Sequence, residues 1–219
     1  MIVGVSFWEY LTDQSDRIFE LTIEHAQIVL ISVGIAVVFG VGLGMLTYRT
    51  ERPRIAILAV TGVFITIPSL ALFSLLLSPL GLGTKPAVVA LVMYALLPIV
   101  RNTITGLREV DPAIVESAQG MGMGRWRRLT RIELPLAWPI IITGIRVSTQ
   151  ILVGIAAIAA VINGPGLGKD IFRALARVGT PTAVNQALAA VLGIVALGLL
   201  LDLAYLLVGR LTTSRGVRE

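Results

Sequence analysis

The side chains that most often carry catalysis are scarce in this sequence. It contains no cysteine and a single histidine, His25, among 219 residues. A thiol nucleophile, a thiolate metal site and a multi-histidine metal centre are therefore excluded. We interpret His25 as a hydrogen-bonded packing residue and not as a proton carrier. The sequence predicts no catalytic residues and no metal ligands, so an enzyme is disfavoured.

One glycine-rich stretch, 164–170, mimics a nucleotide-binding loop. A true loop of that kind needs glycine at the position of Asn163. It also needs serine or threonine at the position of Asp170, to hold Mg²⁺. Both requirements fail, so we interpret the stretch as a turn, and we expect a short amphipathic helix over 169–178.

The composition indicates a protein that is solvated in part by lipid. Hydrophobic residues make up 56% of the chain and charged residues 14%, and the mean hydropathy is +0.89. Soluble domains carry about 25% charged residues. So few charges could not cover the surface of a water-soluble protein, and the net charge of +5 does not indicate nucleic-acid binding, because the basic residues lie at the ends of apolar segments.

Apolar segments near the length of about 20 residues needed to cross a bilayer occur five times. None alternates with the period of two that a barrel strand would show, so each is predicted to be a helix. The expected fold is a single all-α membrane domain over 1–219 with about five spans. They are 23–47, 55–78, 86–104, 136–162 and 183–208.

Charge in the connections predicts the orientation of these spans. With the N-terminus outside, the inner connections 48–54, 101–135 and 209–219 hold three, six and three basic residues. The outer parts hold five, and Arg146 falls within the fourth segment. Because basic residues accumulate on the inner side, we expect an outward-facing N-terminus and a cytoplasmic C-terminus.

The polar connection 107–135, here called the coupling loop, predicts a short helix, a turn and a second, basic helix. Asp111 is a good N-cap and Pro112 a good first helical residue. Glycines 120, 122 and 124 end the helix and allow another backbone to approach closely. A short helix with small residues and one carboxylate, Glu116, suits insertion into a groove on a partner and transmission of a rigid-body movement.

The spacing of residues in this loop resembles a known family. The pattern E-[AS]-A, three residues, G, nine residues, I-x-L-P resembles the signature loop of ABC importer permeases, the membrane subunits that dock on a separate ATPase. Its anchors, with Gly120 beside them, are Glu116, Ser117, Ala118, Gly122, Ile132, Leu134 and Pro135. An amphipathic helix lying at the membrane interface would not need this fixed spacing.

The resemblance implies a type I importer fold, in which residues 116–122 form a coupling helix seated in the ATPase. It implies that ATP and Mg²⁺ bind to that ATPase and that this chain holds no cofactor. The implied partners are a second permease copy or homologue and an extracytoplasmic substrate-binding protein. The implied location is the inner membrane of a prokaryotic cell.

Four further stretches narrow the resemblance to permeases for quaternary-ammonium osmoprotectants such as glycine betaine, choline and carnitine. These stretches are 66–72, 94–103, 120–123 and 144–146. Permeases for another small solute, such as an amino acid, remain an alternative. An ion-coupled secondary transporter is less favoured, because it would show inverted repeats and intramembrane carboxylates.

Polar residues and prolines within the spans are candidates for the translocation pathway. Pro68 is expected to kink the second span and to free the carbonyl of Phe64, and either a gate or ordinary packing would use such a kink. The pathway candidates are Thr66, Pro68, Ser69, Tyr94, Asn102 and Arg146.

Arg146 also has a second interpretation, because an unpaired charge within a span is costly. Asp202 lies at a similar depth in the fifth span. We expect an Arg146–Asp202 pair that locks two helices, rather than an Arg146 that lines the pathway. Glycines 40, 42 and 44 are expected to allow close helix packing in the first span.

Overall fold

The computed structural model describes residues 6–212, and within them helices are the only regular elements. The helices long and apolar enough to cross a membrane are α2 (Ser15–Thr47), α5 (Thr84–Arg108), a continuous helix over Arg125–Ile162, and α10 (Ala183–Thr212). Each contains one of the predicted spans and extends beyond it.

The helix over Arg125–Ile162 changes its hydrogen-bond pattern along its length. It begins as α7 (Arg125–Arg128), continues through a π-helical turn (Leu129–Glu133) into α8 (Leu134–Ala156), and ends as a 3₁₀ turn (Ala157–Ile162). The basic helix of the coupling loop and the fourth span are therefore one element, and a movement of the loop acts directly on the span.

The second predicted span is broken and not merely kinked. Helices α3 (Glu51–Thr66) and α4 (Ser69–Leu80) meet at 101°. By length and composition, the described residues hold four membrane-crossing helices, or five if this pair is one span. The cause is local, because the residue before a proline avoids the helical region, and Ile67 has φ −71° and ψ 126°. The Phe64 carbonyl is not free as expected, since it accepts a 3.3 Å hydrogen bond from the Ile67 amide.

Three short helices complete the described fold. They are α1 (Phe7–Asp13), α6 (Pro112–Gly120) and α9 (Gly168–Ala176). We call the end of the bundle that holds α6, the end of α2 and the end of α5 the basic end, and the opposite end the α9 end. The short helix predicted to begin at Pro112 is thus present as α6, and the one predicted over 169–178 is present as α9.

Helix α5 lies at the centre of the fold and packs along its length against α2 and α8. The fully buried side chains of this core include Ile28, Leu91, Ile99, Ile141 and Leu152. By contrast, α10 buries the smallest share of its apolar length, and leucines such as Leu199 and Leu203 are exposed on it. Such a face requires lipid or another apolar surface.

Glycines set the distance between the central helices. A Cβ on Gly40 or Gly44 would lie within 2.7 Å of Ile99 or Thr103 on α5. Gly42 has no atom within 4 Å of such a Cβ, so its predicted packing role is wrong. The reason is helical geometry, because residues four apart share one face and the residue between them points away.

Alanine substitutions at two glycines are expected to have opposite effects on stability. A Cβ on Gly144 would lie 2.6 Å from Asn102 Cβ and 2.8 Å from the Pro98 carbonyl oxygen, so Gly144→Ala should lower the free energy of unfolding by about 1–3 kcal/mol. Gly42→Ala should be neutral or stabilising by up to about 1 kcal/mol. Thermal unfolding in detergent measures both. Equal melting temperatures for the two variants would contradict the packing described.

Candidate functional site

Helix α6 is fixed by caps at both of its ends. The Asp111 carboxylate accepts a 2.8 Å hydrogen bond from the Ala113 amide, and Pro112 follows the cap. At the other end, the Met123 amide donates to the Ala118 carbonyl at 3.1 Å. These caps supply partners for terminal backbone groups that lack one inside the helix. A helix this short is not stable in water without them.

Gly122 is required by the turn that ends α6. Its φ is +77°, a left-handed conformation that costs residues with a Cβ about 1–2 kcal/mol. The Gly122 amide donates to the Gln119 carbonyl at 2.9 Å, which together with the Met123 bond forms a Schellman cap. The pattern keeps a fixed number of residues between Ala118 and Gly122. This spacing places Ala118 in the last turn of the helix and Gly122 at the position that ends it.

Helix α6 presents most of its surface away from its own chain. Ala118 alone among its described residues is buried, at 1% exposure. Glu116 and Ser117 are exposed, and Ile114 is 41% exposed. Gly120, the last helical residue, has open space around it. The helix thus carries one carboxylate and small or apolar side chains on a free surface.

The remaining residues of the pattern lie where the coupling loop becomes a span. Ile132 is partly buried, and Leu134 and Pro135 are the first two residues of α8. Pro135 has no N–H to donate to the Arg131 carbonyl, which interrupts the regular helical bonding. The Leu134 amide donates instead to the Leu129 carbonyl, five residues back. The Leu-Pro pair therefore lies where the π-helical turn passes into α8.

Sequence reasoning missed a buried ionic cluster at the basic end. We call Tyr48, Arg49, Arg128 and Glu133 the Glu133 cluster. The Glu133 carboxylate accepts from Tyr48 Oη at 2.8 Å, from Arg49 Nη2 at 2.9 Å and from Arg128 Nε at 2.8 Å. Glu133 is 1% exposed and Arg128 is 4% exposed. Burial and the adjacent carboxylate raise the pKa of the Tyr48 hydroxyl above its usual value, so it remains a donor.

The sequence contains a signal for this cluster, the spacing of Arg128 and Glu133. The signal can be interpreted only once the π turn is known. Arg128 and Glu133 are five residues apart, a spacing that puts them on different faces of an α-helix. Glu133 is also the variable position of the I-x-L-P pattern, so the resemblance did not mark it.

An open cleft of about 350 Å³ lies between α6 and the bundle. Val115, Glu116 and Gln119 line it from α6, and Tyr48, Arg49 and Glu133 line it from the bundle. Helix α6 packs on α7 and faces the other helices of the basic end across this space.

The break between α3 and α4 is held by a residue predicted to line the pathway. The Tyr94 hydroxyl donates to the Ile67 carbonyl at 2.6 Å, and Tyr94 is 2% exposed. Asn102 likewise donates to a backbone oxygen, that of Pro98, at 2.9 Å. Both side chains use their donors within the protein. Pro68 and Thr66 are exposed at the break, and Ser69 is partly exposed.

Removing the Tyr94 hydroxyl is expected to destabilise the protein modestly. Tyr94→Phe keeps the ring and leaves the Ile67 carbonyl without its donor, which should cost about 1 kcal/mol of unfolding free energy. The melting temperature in detergent measures this loss. The comparison variant outside the break is Tyr205→Phe, which removes the 3.0 Å contact to Thr149 Oγ1. A Tyr94→Phe protein as stable as wild type would contradict the assigned role.

Arg146 and Asp202 lie in direct contact between α8 and α10. Arg146 Nε and Nη2 donate to the two Asp202 carboxylate oxygens at 2.5 and 2.6 Å, a bidentate arrangement. Gln150 donates to the Gly198 carbonyl at 3.0 Å in the next turn. The two charged side chains are 38% and 28% exposed, so the pair lies at the edge of the helix contact.

Comparison with protein families identifies the chain. Residues 36–214 match the family described as "Binding-protein-dependent transport system inner membrane component". The chain belongs to this family. The match begins within α2 and includes the coupling loop and the Arg146–Asp202 pair. This inner-membrane component is therefore part of a transport system, and its relatives are transport subunits and not enzymes.

Curated relatives of this inner-membrane component cover most of its length. It is 36% identical over 215 residues to the osmoprotectant import permease protein OsmW of Salmonella typhimurium. The aligned region covers 95% of this chain and 98% of that relative. It is 40% identical over 163 residues to the glycine betaine/carnitine/choline transport system permease protein OpuCB of Bacillus subtilis. The aligned region covers 74% of this chain and 75% of that relative.

A solved structure shares the fold of this inner-membrane component. A chain of the MetNI methionine ABC transporter, in an inward-facing conformation, matches with a TM-score of 0.80. The match covers 90% of this chain and 96% of that chain at 20% identity. The predicted type I importer fold is confirmed.

The glycine-rich stretch at the α9 end of the inner-membrane component is a packed turn. A Cβ on Gly168 would lie 1.9 Å from the Ala157 carbonyl oxygen. The Gly166 amide donates to Glu24 Oε2 at 2.9 Å, and Lys169 Nζ donates to the same oxygen at 2.7 Å. Its glycines allow close packing on the 3₁₀ turn, and its lysine pairs with α2.

Two other residues considered in the sequence also have structural partners at this end. Asp170 is 2% exposed and accepts from Arg17, from Gln186 at 3.2 Å and from Arg173 at 3.3 Å. The His25 ring is fully buried, with Nε2 3.0 Å from the Val153 carbonyl oxygen. The interpretation of His25 as a hydrogen-bonded packing residue holds for Nε2 only, because Nδ1 is buried without a hydrogen-bond partner among the described residues. Within residues 6–212, no group of three or more His, Asp or Glu side chains is arranged to hold a metal ion.

Proposed function

We propose that this chain forms half of the translocation pathway of an ATP-driven importer for quaternary-ammonium osmoprotectants such as glycine betaine, choline or carnitine. Membership of the binding-protein-dependent transport family supports the importer assignment. The substrate class rests on relatives whose names specify osmoprotectant, glycine betaine, carnitine or choline transport.

Helix α6 is the observation that carries the proposal. It is short, capped at both ends, and exposed on the face that holds Glu116 and Ser117. A preformed helix loses little conformational entropy when it docks in a groove. We assign it to a cleft in a separate ATPase subunit, which binds ATP and Mg²⁺ and moves α6 as it closes.

The exposed apolar faces support assembly with a second permease. Helix α10 is apolar and leaves most of its length unburied, and α3 buries only Thr61 among its residues. Five helices in one chain are too few to enclose a solute pathway comfortably. A symmetric or pseudo-symmetric pair, made from an identical or homologous chain, would enclose it.

The orientation places the basic end in the cytoplasm. The connections at that end carry the larger share of the chain's basic residues, as the positive-inside rule requires. The N-terminus and α9 then lie outside, where an extracytoplasmic substrate-binding protein docks. In the described part of the chain, exposed Arg173 lies on α9 at this end, and exposed Arg177 follows the helix directly.

Substrate selection belongs to the binding protein in this proposal. A quaternary ammonium is usually held by several aromatic rings. Trp8, however, is 76% exposed on α1. Trp126, 65% exposed, and Trp138 are separated by about 18 Å along the continuous helix over Arg125–Ile162. Thr66, Pro68 and Ser69 at the break between α3 and α4 are the remaining candidates for a gate that passes a selected solute.

Two measurements, one on the purified protein and one on intact cells, test this function. The tagged chain, purified from its own membranes in mild detergent, should carry with it a subunit that hydrolyses ATP. Cells should take up labelled glycine betaine, and unlabelled choline or carnitine should compete while methionine should not. If methionine competes and choline and carnitine do not, the proposed substrate class is wrong. If the chain purifies without any ATPase, the importer assignment is wrong.

A further inference from the structure

We infer that Glu133 is a positioning residue that makes a movement of α6 act on α2 and α8 together. This inference rests on the proposed function, since it concerns how that importer couples its ATPase to its spans. The backbone already joins the coupling loop to α8, and the Glu133 cluster is the connection that joins it to the end of α2.

The connection spans two separate parts of the chain. Tyr48 and Arg49 follow the last residue of α2, whereas Arg128 ends α7 and Glu133 ends the π turn. One carboxylate therefore holds three donors that approach from two elements. A fourth bond, from Arg49 Nε to Tyr48 Oη at 2.6 Å, fixes the two donors from α2 relative to each other.

The π turn creates this arrangement. Its Leu129-to-Leu134 bond joins residues five apart, and a turn with that bonding brings side chains five apart towards one side. Arg128 thereby reaches Glu133 at 2.8 Å. Rewinding the turn into a regular α-helix would separate the two side chains, so the cluster and the π turn maintain each other.

Burial makes the connection rigid. Water could replace any one partner of an exposed ion pair, but Glu133 and Arg128 are nearly inaccessible. Charge-assisted bonds in such surroundings are strong, and a buried charge without its partner is costly. The cluster should therefore move as a unit when the coupling loop moves.

The path from α6 to the cluster is short. Helix α6 leads through residues 121–124 into α7 and packs against it. Side chains of α6 and of Tyr48, Arg49 and Glu133 line the same open cleft. A displacement of α6 thus reaches α7, passes to α8 along the continuous helix, and reaches the end of α2 through Glu133.

The experiment separates a positioning role from a merely structural one. Apolar replacement of a buried ion pair often preserves stability, so the double variant Arg128→Met with Glu133→Leu should assemble. Arg49, at 33% side-chain exposure, can turn to water when its partner is removed. The matched control is Arg131→Met, because Arg131 is exposed on the same π turn.

Each protein is purified with its ATPase and binding protein and placed in liposomes. Three quantities are measured: the melting temperature, the ATP hydrolysis rate, and the labelled glycine betaine taken up per ATP hydrolysed. The double variant should melt close to wild type and hydrolyse ATP, but its uptake per ATP should fall about fivefold. Arg131→Met should keep the wild-type ratio.

An unchanged uptake per ATP in the double variant would overturn the inference, as would an equal fall in Arg131→Met. If the double variant does not assemble, Tyr48→Phe tests the inference instead, because it removes only one hydroxyl from the cluster. Its ratio should fall about twofold, and an unchanged ratio overturns the inference. Wild-type protein that shows no ATP-dependent uptake would instead refute the proposed function.

Discussion

Gly122→Val is expected to lower ATP-driven uptake more than tenfold while the membrane-spanning helices stay folded. The φ of +77° at Gly122 is strained for a β-branched residue, at a cost of about 1–3 kcal/mol. The Schellman cap would be lost, and α6 would fray at the end that leads to α7. Uptake and ATP hydrolysis are measured in liposomes, with hydrolysis expected to persist.

Two matched variants show whether the backbone conformation is responsible. Gly122→Asn should retain most of the uptake, because asparagine tolerates the left-handed region. Gly124→Val should also retain it, since Gly124 has φ −63° and open space around its Cα. Loss of uptake in Gly122→Asn as severe as in Gly122→Val would contradict the assigned role of the cap.

Reversing one charge of the Arg146–Asp202 pair is expected to reduce the assembled protein in the membrane to a small fraction of wild type. Arg146→Asp would bring two carboxylates together, and Asp202→Arg would bring two guanidinium groups together. The two like charges would face each other between α8 and α10 without a partner, which is costly in surroundings of low dielectric. Size-exclusion chromatography of a fluorescent fusion measures the assembled amount.

Combining the two reversals should restore assembly, because the pair is recreated with its charges exchanged. Failure of the double reversal to rescue either single variant would contradict a pair that locks α8 to α10. The apolar double variant Arg146→Met with Asp202→Leu then distinguishes the two interpretations of Arg146. Unchanged uptake indicates a structural pair, whereas altered uptake at normal assembly indicates that Arg146 lines the pathway.

The parts of this fold that could be predicted from the sequence depend on neighbouring residues. Asp111 and Pro112 predicted the start of α6 because an N-cap acts within one turn. Long apolar segments predicted the spans because the bilayer imposes a minimum length on any helix that crosses it. The contact between Arg146 and Asp202 is an exception, because it joins two distant helices; it was expected because few other charges occur at that depth.

What could not be predicted depends on distant partners or on exact register. Pro68 indicated a bend, but the size of the bend is fixed with help from the Tyr94 hydroxyl on another helix. Gly42 differs from Gly40 only in the face it occupies, which the position of α5 decides. The Glu133 cluster required knowledge of the π turn, whose hydrogen bonds no local pattern in the sequence specifies.

Uptake of labelled glycine betaine into liposomes that contain this chain, its ATPase and its binding protein tests the central claim most directly. With ATP enclosed beside the ATPase, the solute should accumulate above its outside concentration, and without ATP it should not. Accumulation of equal extent without ATP would contradict an ATP-driven importer and would indicate a transporter driven by another gradient.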